Sequence, residues 1–204
     1  MLYKNAVLML KRIFDILFSA LGILIVSPFM LILFLLVVSE SRGGFFFLQK
    51  RVGKNNIDFN LIKIRTMYKD SDKKGLLTVG EDDKRITKTG RFLRKFKFDE
   101  LPQLFNILSG KMSFVGPRPE VRKYVDMYNA EQLKVLTVKP GLTDYSSLMY
   151  YDENDIISKF DNFEEVYINT IMPRKLKLNL IYIKNQNIGM DISIILKTLL
   201  KWVR

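Results

Sequence analysis

Asp99 and Glu100 are adjacent carboxylates that directly follow a stretch, Lys84 to Lys97, with seven basic residues and no acid. A carboxylate pair beside cations suits a phosphate electrophile. The cations offset phosphate charge, one carboxylate attacks phosphorus, and the other holds Mg²⁺ on the leaving phosphate. The same residues also have a purely local reading, in which Asp99 caps a helix, Glu100 complements its dipole and Pro102 sits in the first turn. Neighbours on a regular helix diverge by about 100°, so the pair shares a ligand only at a helix end or break, which Pro102 can supply. Gly116-Pro117-Arg118-Pro119 is a second candidate. Two prolines fix the backbone around one guanidinium and limit the entropy lost when it grips a phosphate; as a bare tetrapeptide it reads equally as a rigid turn. Lys63 and Arg65 share one face of an expected strand by period-two spacing, either extending a phosphate site or facing solvent.

Other chemistries are excluded by composition. The 204 residues contain no cysteine and no histidine. Disulfides, thiol nucleophiles, thiolate zinc sites, imidazole bases and histidine-dependent triads are therefore absent. Catalysis falls to carboxylates, Lys, Arg, Ser, Thr or Tyr, with or without a hard metal ion. Hydrophobic residues make up 48% of the chain, enough for a packed core, and the net charge is +12. Thirty basic and twenty acidic residues lie in 39–204, so the positive excess sits there. Anionic lipid, phosphate-bearing substrates or nucleic acid would each account for it.

The elements that must carry these residues divide in two. Ile16 to Val38 is a run of 23 uncharged, mostly aliphatic residues. As a straight helix it covers roughly 34 Å, enough to cross a bilayer. No small-residue cleavage site follows, which argues against a signal peptide. Pro28 has no N–H for the Leu24 carbonyl, so a bend is expected at Ser27-Pro28. Basic residues flank both sides: Lys4, Lys11 and Arg12 before, Arg42, Lys50, Arg51 and Lys54 after. That symmetry gives no clear inside and outside. A re-entrant helix with both flanks on the cytoplasmic face and a kinked spanning helix both remain open on these residues.

Beyond the anchor, Arg42-Gly43-Gly44 reads as a turn and Phe45-Phe46-Phe47 as an aromatic patch. Ile57–Arg65 is a short strand and Lys69–Asp83 a surface loop. Helical spacing covers Leu101–Leu108, Val121–Leu136 and Arg174–Lys184, with a break at Lys139-Pro140-Gly141. Asp191–Arg204 sets Ile194, Ile195, Leu199 and Trp202 on one side and Lys197, Lys201 and Arg204 around the other. That pattern fits a helix lying in the membrane surface with Trp202 at headgroup depth, and equally a helix covering the core.

In this order the segments resemble the bacterial sugar transferase family, the monotopic phosphoglycosyl transferases. The matching pieces begin with Lys11-Arg12-Ile13-Phe14-Asp15, Ser27-Pro28, Gln49-Lys50-Arg51-Val52-Gly53 and Lys63-Ile64-Arg65-Thr66-Met67. The core is Asp99-Glu100-Leu101-Pro102-Gln103-Leu104-Phe105-Asn106 with Met112-Ser113-Phe114-Val115-Gly116-Pro117-Arg118-Pro119-Glu120. Val138-Lys139-Pro140-Gly141-Leu142-Thr143 and Asp191-Ile192-Ser193-Ile194-Ile195 complete the match.

The resemblance implies a mainly α protein with a small β element. Residues 1–40 would be a re-entrant membrane helix broken at Ser27-Pro28, and 41–204 a compact cytoplasmic catalytic domain with surface-lying amphipathic helices. It implies transfer of a phosphosugar from a UDP-sugar to polyprenyl (undecaprenyl) phosphate with release of UMP, which starts a membrane-linked glycan. Asp99 would be the nucleophile, giving a covalent phosphosugar intermediate, and Glu100 the Mg²⁺ ligand. Lys63, Arg94, Arg118 and Asp191 match the family's strand lysine, basic position, Pro-Arg-Pro arginine and late acid. The expected location is the cytoplasmic face of the bacterial inner membrane, with inner-membrane lipids and downstream glycosyltransferases as partners and no nucleic acid. One stretch departs: many members follow the Pro-Gly turn with Gly-Trp-Ala-Gln and then an arginine, where this chain has Asp144-Tyr145-Ser146-Ser147-Leu148-Met149. Two competitors have distinct signatures. A non-catalytic basic binder gives salt-steep binding without turnover, and a direct glycosyltransferase releases UDP.

Overall fold

The computed structural model describes residues 2–71, 83–149 and 162–202. It is mainly helical, with two small sheets. Helix α1, Leu2–Glu40, contains the apolar run and stays helical through Pro28. The Leu24 carbonyl that Pro28 cannot serve accepts the Ser27 hydroxyl instead, at 2.9 Å. Ser27 thus removes part of the cost of a helix-interior proline.

One stripe of α1 docks on the rest of the chain. Asp15, Ser19, Leu33 and Val37 are buried along it, and Leu104 of the globular part lies against Gly22. The opposite side is bare hydrocarbon, with Leu24 71% and Ile25 67% exposed. Such a surface needs an apolar solvent.

Strands β1 (Phe46–Val52) and β2 (Asp58–Ile64) form an antiparallel hairpin pairing Phe46 with Ile64 and Val52 with Asp58. The aromatic patch read at Phe45-Phe46-Phe47 therefore opens a strand. Its partner is set by the tight turn at Lys54–Asn56, where Asn55 and Asn56 both take positive φ, a conformation asparagine tolerates. The polar loop expected over Lys69–Asp83 falls mostly outside the described residues; at its base Met67 bridges Ile86.

Helix α2 (Lys88–Lys95) and a single 3₁₀ turn, Phe98–Glu100, lead into α3 (Gln103–Leu108). Strands β3 (Ser113–Val115) and β4 (Gly141–Thr143) form a short parallel pair. The helical spacing seen over Val121–Leu136 resolves into α4 (Arg122–Val125) and a 3₁₀ turn, Gln132–Thr137. The break has a local cause. Asn129 and Gln132 exchange side chain-to-backbone bonds at 2.9 Å, a reciprocal cap that starts the second piece afresh.

Helix α5 (Tyr145–Met149) follows β4. Next, α6 (Phe163–Val166) runs through a π-helical turn, Tyr167–Ile171, into α7 (Met172–Asn185), with Pro173 in its first turn. Helix α8 (Ile188–Trp202) ends the described chain. It buries Ile194 and exposes Ile192, Leu196, Leu199 and Leu200. The Trp202 side chain, expected at headgroup depth, lies outside the described residues.

Candidate active site

The dyad sits at a backbone break. The α2 helix ends at Lys95 with Phe96 as its C-cap, and Lys97 then takes a left-handed conformation (φ 56°, ψ 20°) that redirects the chain into the 3₁₀ turn carrying Asp99 and Glu100. A non-glycine residue there costs about 1 kcal/mol. Pro102 is the N-cap of α3 and makes no side-chain cap bond. Asp99 is not a cap: it is buried, and its Oδ1 has no hydrogen-bond partner among the described residues. Burial pushes the Asp99 carboxyl above the ordinary carboxylate value, with Lys63 opposing and Glu100 adding to the rise.

Glu100 has the opposite surroundings. Arg118 straddles its carboxylate, Nη2 on Oε1 and Nη1 3.4 Å from Oε2. Lys63 Nζ lies 3.4 Å from Oε1. Although burial opposes them, Arg118 and Lys63 hold Glu100 well below the usual carboxylate range. Two neighbouring acids thus have environments that drive their proton affinities apart, the pattern of divided labour in a catalytic pair.

Local structure fixes each cation. Lys63 lies on β2, and β2 is clamped to α3 by Asn106, whose side-chain amide donates to the Asn60 carbonyl (2.8 Å) and accepts the Ile62 N–H (3.0 Å). Arg94, on the last turn of α2, donates through Nε to Thr66 Oγ1 at 2.8 Å and feels the Asp99 charge. Arg65, on the same face as Lys63 by spacing, instead donates to the Ser41 and Arg42 carbonyls at the end of α1. Arg118 rides on a pinned segment. Gly116 N–H donates to the Thr143 carbonyl at 3.1 Å, Gly141 N–H to that of Pro117 at 3.0 Å, and Arg118 N–H to Asp144 Oδ2 at 3.0 Å. The approach requires glycine on both sides: a Cβ on Gly116 would stand 2.4 Å from the Lys139 carbonyl oxygen, and one on Gly141 2.2 Å from Gly116 N.

The structure therefore brings Lys63, Asp99, Glu100 and Arg118 into one cluster with Arg94 at its edge. Asp191 is held elsewhere. Its oxygens bind Lys11 and the Tyr182 hydroxyl (2.6 Å), tying α8 and α7 to the start of α1. Four residues, Arg51, Glu120, Tyr167 and Asp144, were not singled out from sequence as site residues. Arg51 donates to the Pro119 carbonyl and to Glu120 Oε1, both at 3.1 Å. Tyr167 donates to the other Glu120 oxygen. Asp144 receives Arg118. Arg51 and Glu120 lie inside motif segments, but only the fold shows that they buttress the Pro-Arg-Pro turn from behind.

No group of three or more metal-ligating side chains occurs among the described residues. The available donors are two adjacent carboxylates, one with a spare buried oxygen. That set fits Mg²⁺ shared with a substrate diphosphate, because this ion is commonly held by one or two carboxylates plus phosphate oxygens.

A sequence model of the bacterial sugar transferase family matches residues 6–204, and the chain belongs to that family. It is similar to the UDP-N-acetylgalactosamine-undecaprenyl-phosphate N-acetylgalactosaminephosphotransferase of Aeromonas hydrophila, 36% identical over 93% of this chain and 43% of that protein. A putative undecaprenyl-phosphate N-acetylgalactosaminyl 1-phosphate transferase of Bacillus subtilis is 40% identical over 61% of this chain and 69% of its own length. An uncharacterized sugar transferase of Bacillus subtilis is 35% identical over 95% of this chain and 87% of its own length. The chain thus spans less than half of the Aeromonas relative.

Proposed function

We propose that the chain transfers a sugar phosphate from a UDP-sugar to undecaprenyl phosphate and releases UMP. The observation that carries this reading is the unpartnered, buried Asp99 oxygen beside a Glu100 clamped by Arg118 and Lys63. Asp99 Oδ1 attacks the phosphorus that bears the sugar. The P–O bond to UMP breaks, UMP departs with the electron pair, and an aspartyl phosphosugar remains. An oxygen of the polyprenyl phosphate then attacks the same phosphorus and the Asp99 carboxylate leaves. Both bonds exchanged are activated phosphate linkages, so neither step calls for a histidine acid. Partial desolvation makes the Asp99 carboxylate a stronger nucleophile while Arg94 and Lys63 keep it compatible with ionisation. Mg²⁺, held by Glu100 together with the diphosphate, would neutralise charge on the departing phosphate.

The membrane placement in this reading is monotopic, at the cytoplasmic face of the inner membrane. Its support is the docking of both ends of α1 on one domain. Near the start, Arg12 donates to the Ile107 and Leu108 carbonyls at 2.7 and 2.8 Å, and Asp15 accepts Ser113 Oγ and Phe114 N–H at 3.0 Å. At the end, Glu40 accepts the Lys88 and Thr89 N–H groups at 2.6 and 2.8 Å. The α8 face carrying Ile192, Leu196, Leu199 and Leu200 would rest on the same lipid surface.

The test is UMP release from a panel of UDP-sugars with undecaprenyl phosphate, with an Asp99→Asn variant alongside. The variant is expected to lose turnover by at least a thousandfold, and intact-mass analysis of the wild type with donor alone should show a phosphosugar adduct on Asp99. UDP as the product, or full activity without Asp99, would overturn the proposal.

A further inference from the structure

The stretch that departs from the common family pattern supplies a buried carboxylate to the Pro-Arg-Pro turn. In Gly116-Pro117-Arg118-Pro119 the prolines have no N–H, so the segment owns two backbone donors, at Gly116 and Arg118. The first goes to the Thr143 carbonyl and the second to Asp144 Oδ2, so two consecutive residues anchor both. Asp144 is 1% exposed. Its Oδ1 also accepts the Ser147 N–H at the start of α5, and the Ser146 hydroxyl lies 3.1 Å from both carboxylate oxygens. The carboxylate therefore has one bond directed at the residue that clamps Glu100 and the others directed at its own loop. A residue without a side-chain oxygen in this position has no such acceptor. Its loss would leave a partly buried Arg118 N–H without this partner and free the Arg118 backbone to shift.

We propose that Asp144 is a positioning residue for the transfer site: it fixes the Arg118 backbone so that the guanidinium stays on Glu100 and faces the donor diphosphate. The inference rests on the transferase reading above. Asp144 touches neither Glu100 nor Asp99, so it acts only through Arg118. A charge-assisted bond of this kind sets a tenfold to hundredfold scale for the loss when it is removed.

The test uses the full chain in lipid nanodiscs with undecaprenyl phosphate and whichever of UDP-glucose, UDP-galactose and UDP-N-acetylgalactosamine turns over best. Asp144→Ala, Asp144→Asn and Ser146→Ala are compared, with Tm measured for each and kinetics run well below the lowest. Ser146→Ala removes only a brace within the loop, so it should lower Tm while leaving donor kcat/KM within about twofold. Asp144→Ala should lower donor kcat/KM about 10- to 100-fold, with a raised donor KM and an unchanged KM for undecaprenyl phosphate. Asp144→Asn keeps one acceptor oxygen and should recover most of the loss. A purely structural role would reduce the active fraction without moving the donor KM. That result, an Asp144→Ala loss no greater than that of Ser146→Ala, or failure of both Asp144 variants to fold, overturns the assignment. A wild-type chain that turns over none of the three sugars overturns the transferase reading and this inference with it, whereas wild-type turnover with an unmoved donor KM overturns this inference alone.

Discussion

At the scale of single residues, the two adjacent carboxylates respond to pH with opposite signs. Asp99 has a folded pKa above its unfolded value of 3.8 because burial disfavours its charge. As pH rises from 3.8 through the folded value, ionising Asp99 therefore costs the fold stability. Glu100 has the opposite sign: its contribution is in place above 4.5 and is lost as pH falls toward its depressed folded pKa. Asp99→Asn, which abolishes the proposed attack, should therefore raise Tm at pH 7. Calorimetry of the two proteins checks this, and a lower Tm in the variant would count against a strained nucleophile. The kinetic counterpart concerns Lys63, the largest charge opposing the Asp99 shift. Lys63→Met should move the acid limb of the kcat profile to higher pH, while Lys63→Arg should leave it nearly in place. Lys97 offers a third case. Its left-handed backbone favours glycine, so Lys97→Gly should stabilise the chain by about 1 kcal/mol, seen as a higher urea midpoint.

At the scale of elements, caps made across the chain do much of the positioning. Three N–H groups open α2: Thr87 Oγ1 accepts that of Gly90 at 2.9 Å, and Glu40, at the end of α1, accepts those of Lys88 and Thr89. Glu40→Ala should cost about 1 kcal/mol, and amide exchange should quicken at Lys88 and Thr89 while Gly90 stays protected by Thr87. Unchanged exchange would show that the Glu40 carboxylate is not the cap. This kind of contact was invisible in the sequence, because Glu40 and Lys88 lie far apart in it and neither carries a local capping pattern toward the other. The same limit explains the hairpin. Ile57–Arg65 has the β-forming composition of a strand, but Phe45-Phe46-Phe47 shows no turn-anchored alternation until Asn55 and Asn56 close it with positive φ. The parallel β3–β4 pair has only three residues per strand, too few for periodicity to register. By contrast, the helix at Arg174–Lys184 follows from a local cue, since Pro173 marks its first turn, and Pro102 signals a helix boundary beside Asp99 and Glu100, although it is the N-cap of α3 and not a first-turn residue. Within the candidate site, Asp99, Glu100 and Arg94 were legible in the sequence because unlike charges cluster between Lys84 and Glu100, whereas Arg118 was marked by its flanking prolines and Lys63 by strand spacing. Arg51, Glu120 and Asp144 were not, because their function is to hold Pro119 and Arg118 in three dimensions.

At the scale of the whole molecule, α1 carries a bare apolar face and is at the same time a structural member of the fold that holds the candidate site. Leu33 and Val37 share a core with Phe45, Ile64 and Leu93. Asp15, 2% exposed, supplies an acceptor to β3. A spanning arrangement would carry one end of α1 to the far side of the bilayer. Detaching the start would strip Asp15 from Ser113 and Phe114, and Arg12 from the end of α3. Detaching the end would expose that shared core, uncap α2 and leave Arg65 without the Ser41 and Arg42 carbonyls. Losing buried polar partners costs about 1–3 kcal/mol apiece, so either choice removes a large part of the stability of a domain this size. Both ends should therefore lie on one face. The absence of cysteine makes the experiment direct: Tyr3→Cys and Lys50→Cys each introduce the chain's single thiol. An impermeant maleimide applied to intact cells should label neither, and the same reagent on inverted membrane vesicles should label both. Labelling of one position from outside would show a helix that crosses the membrane, and the polar contacts at one end of α1 would then have to be absent in the membrane-bound protein.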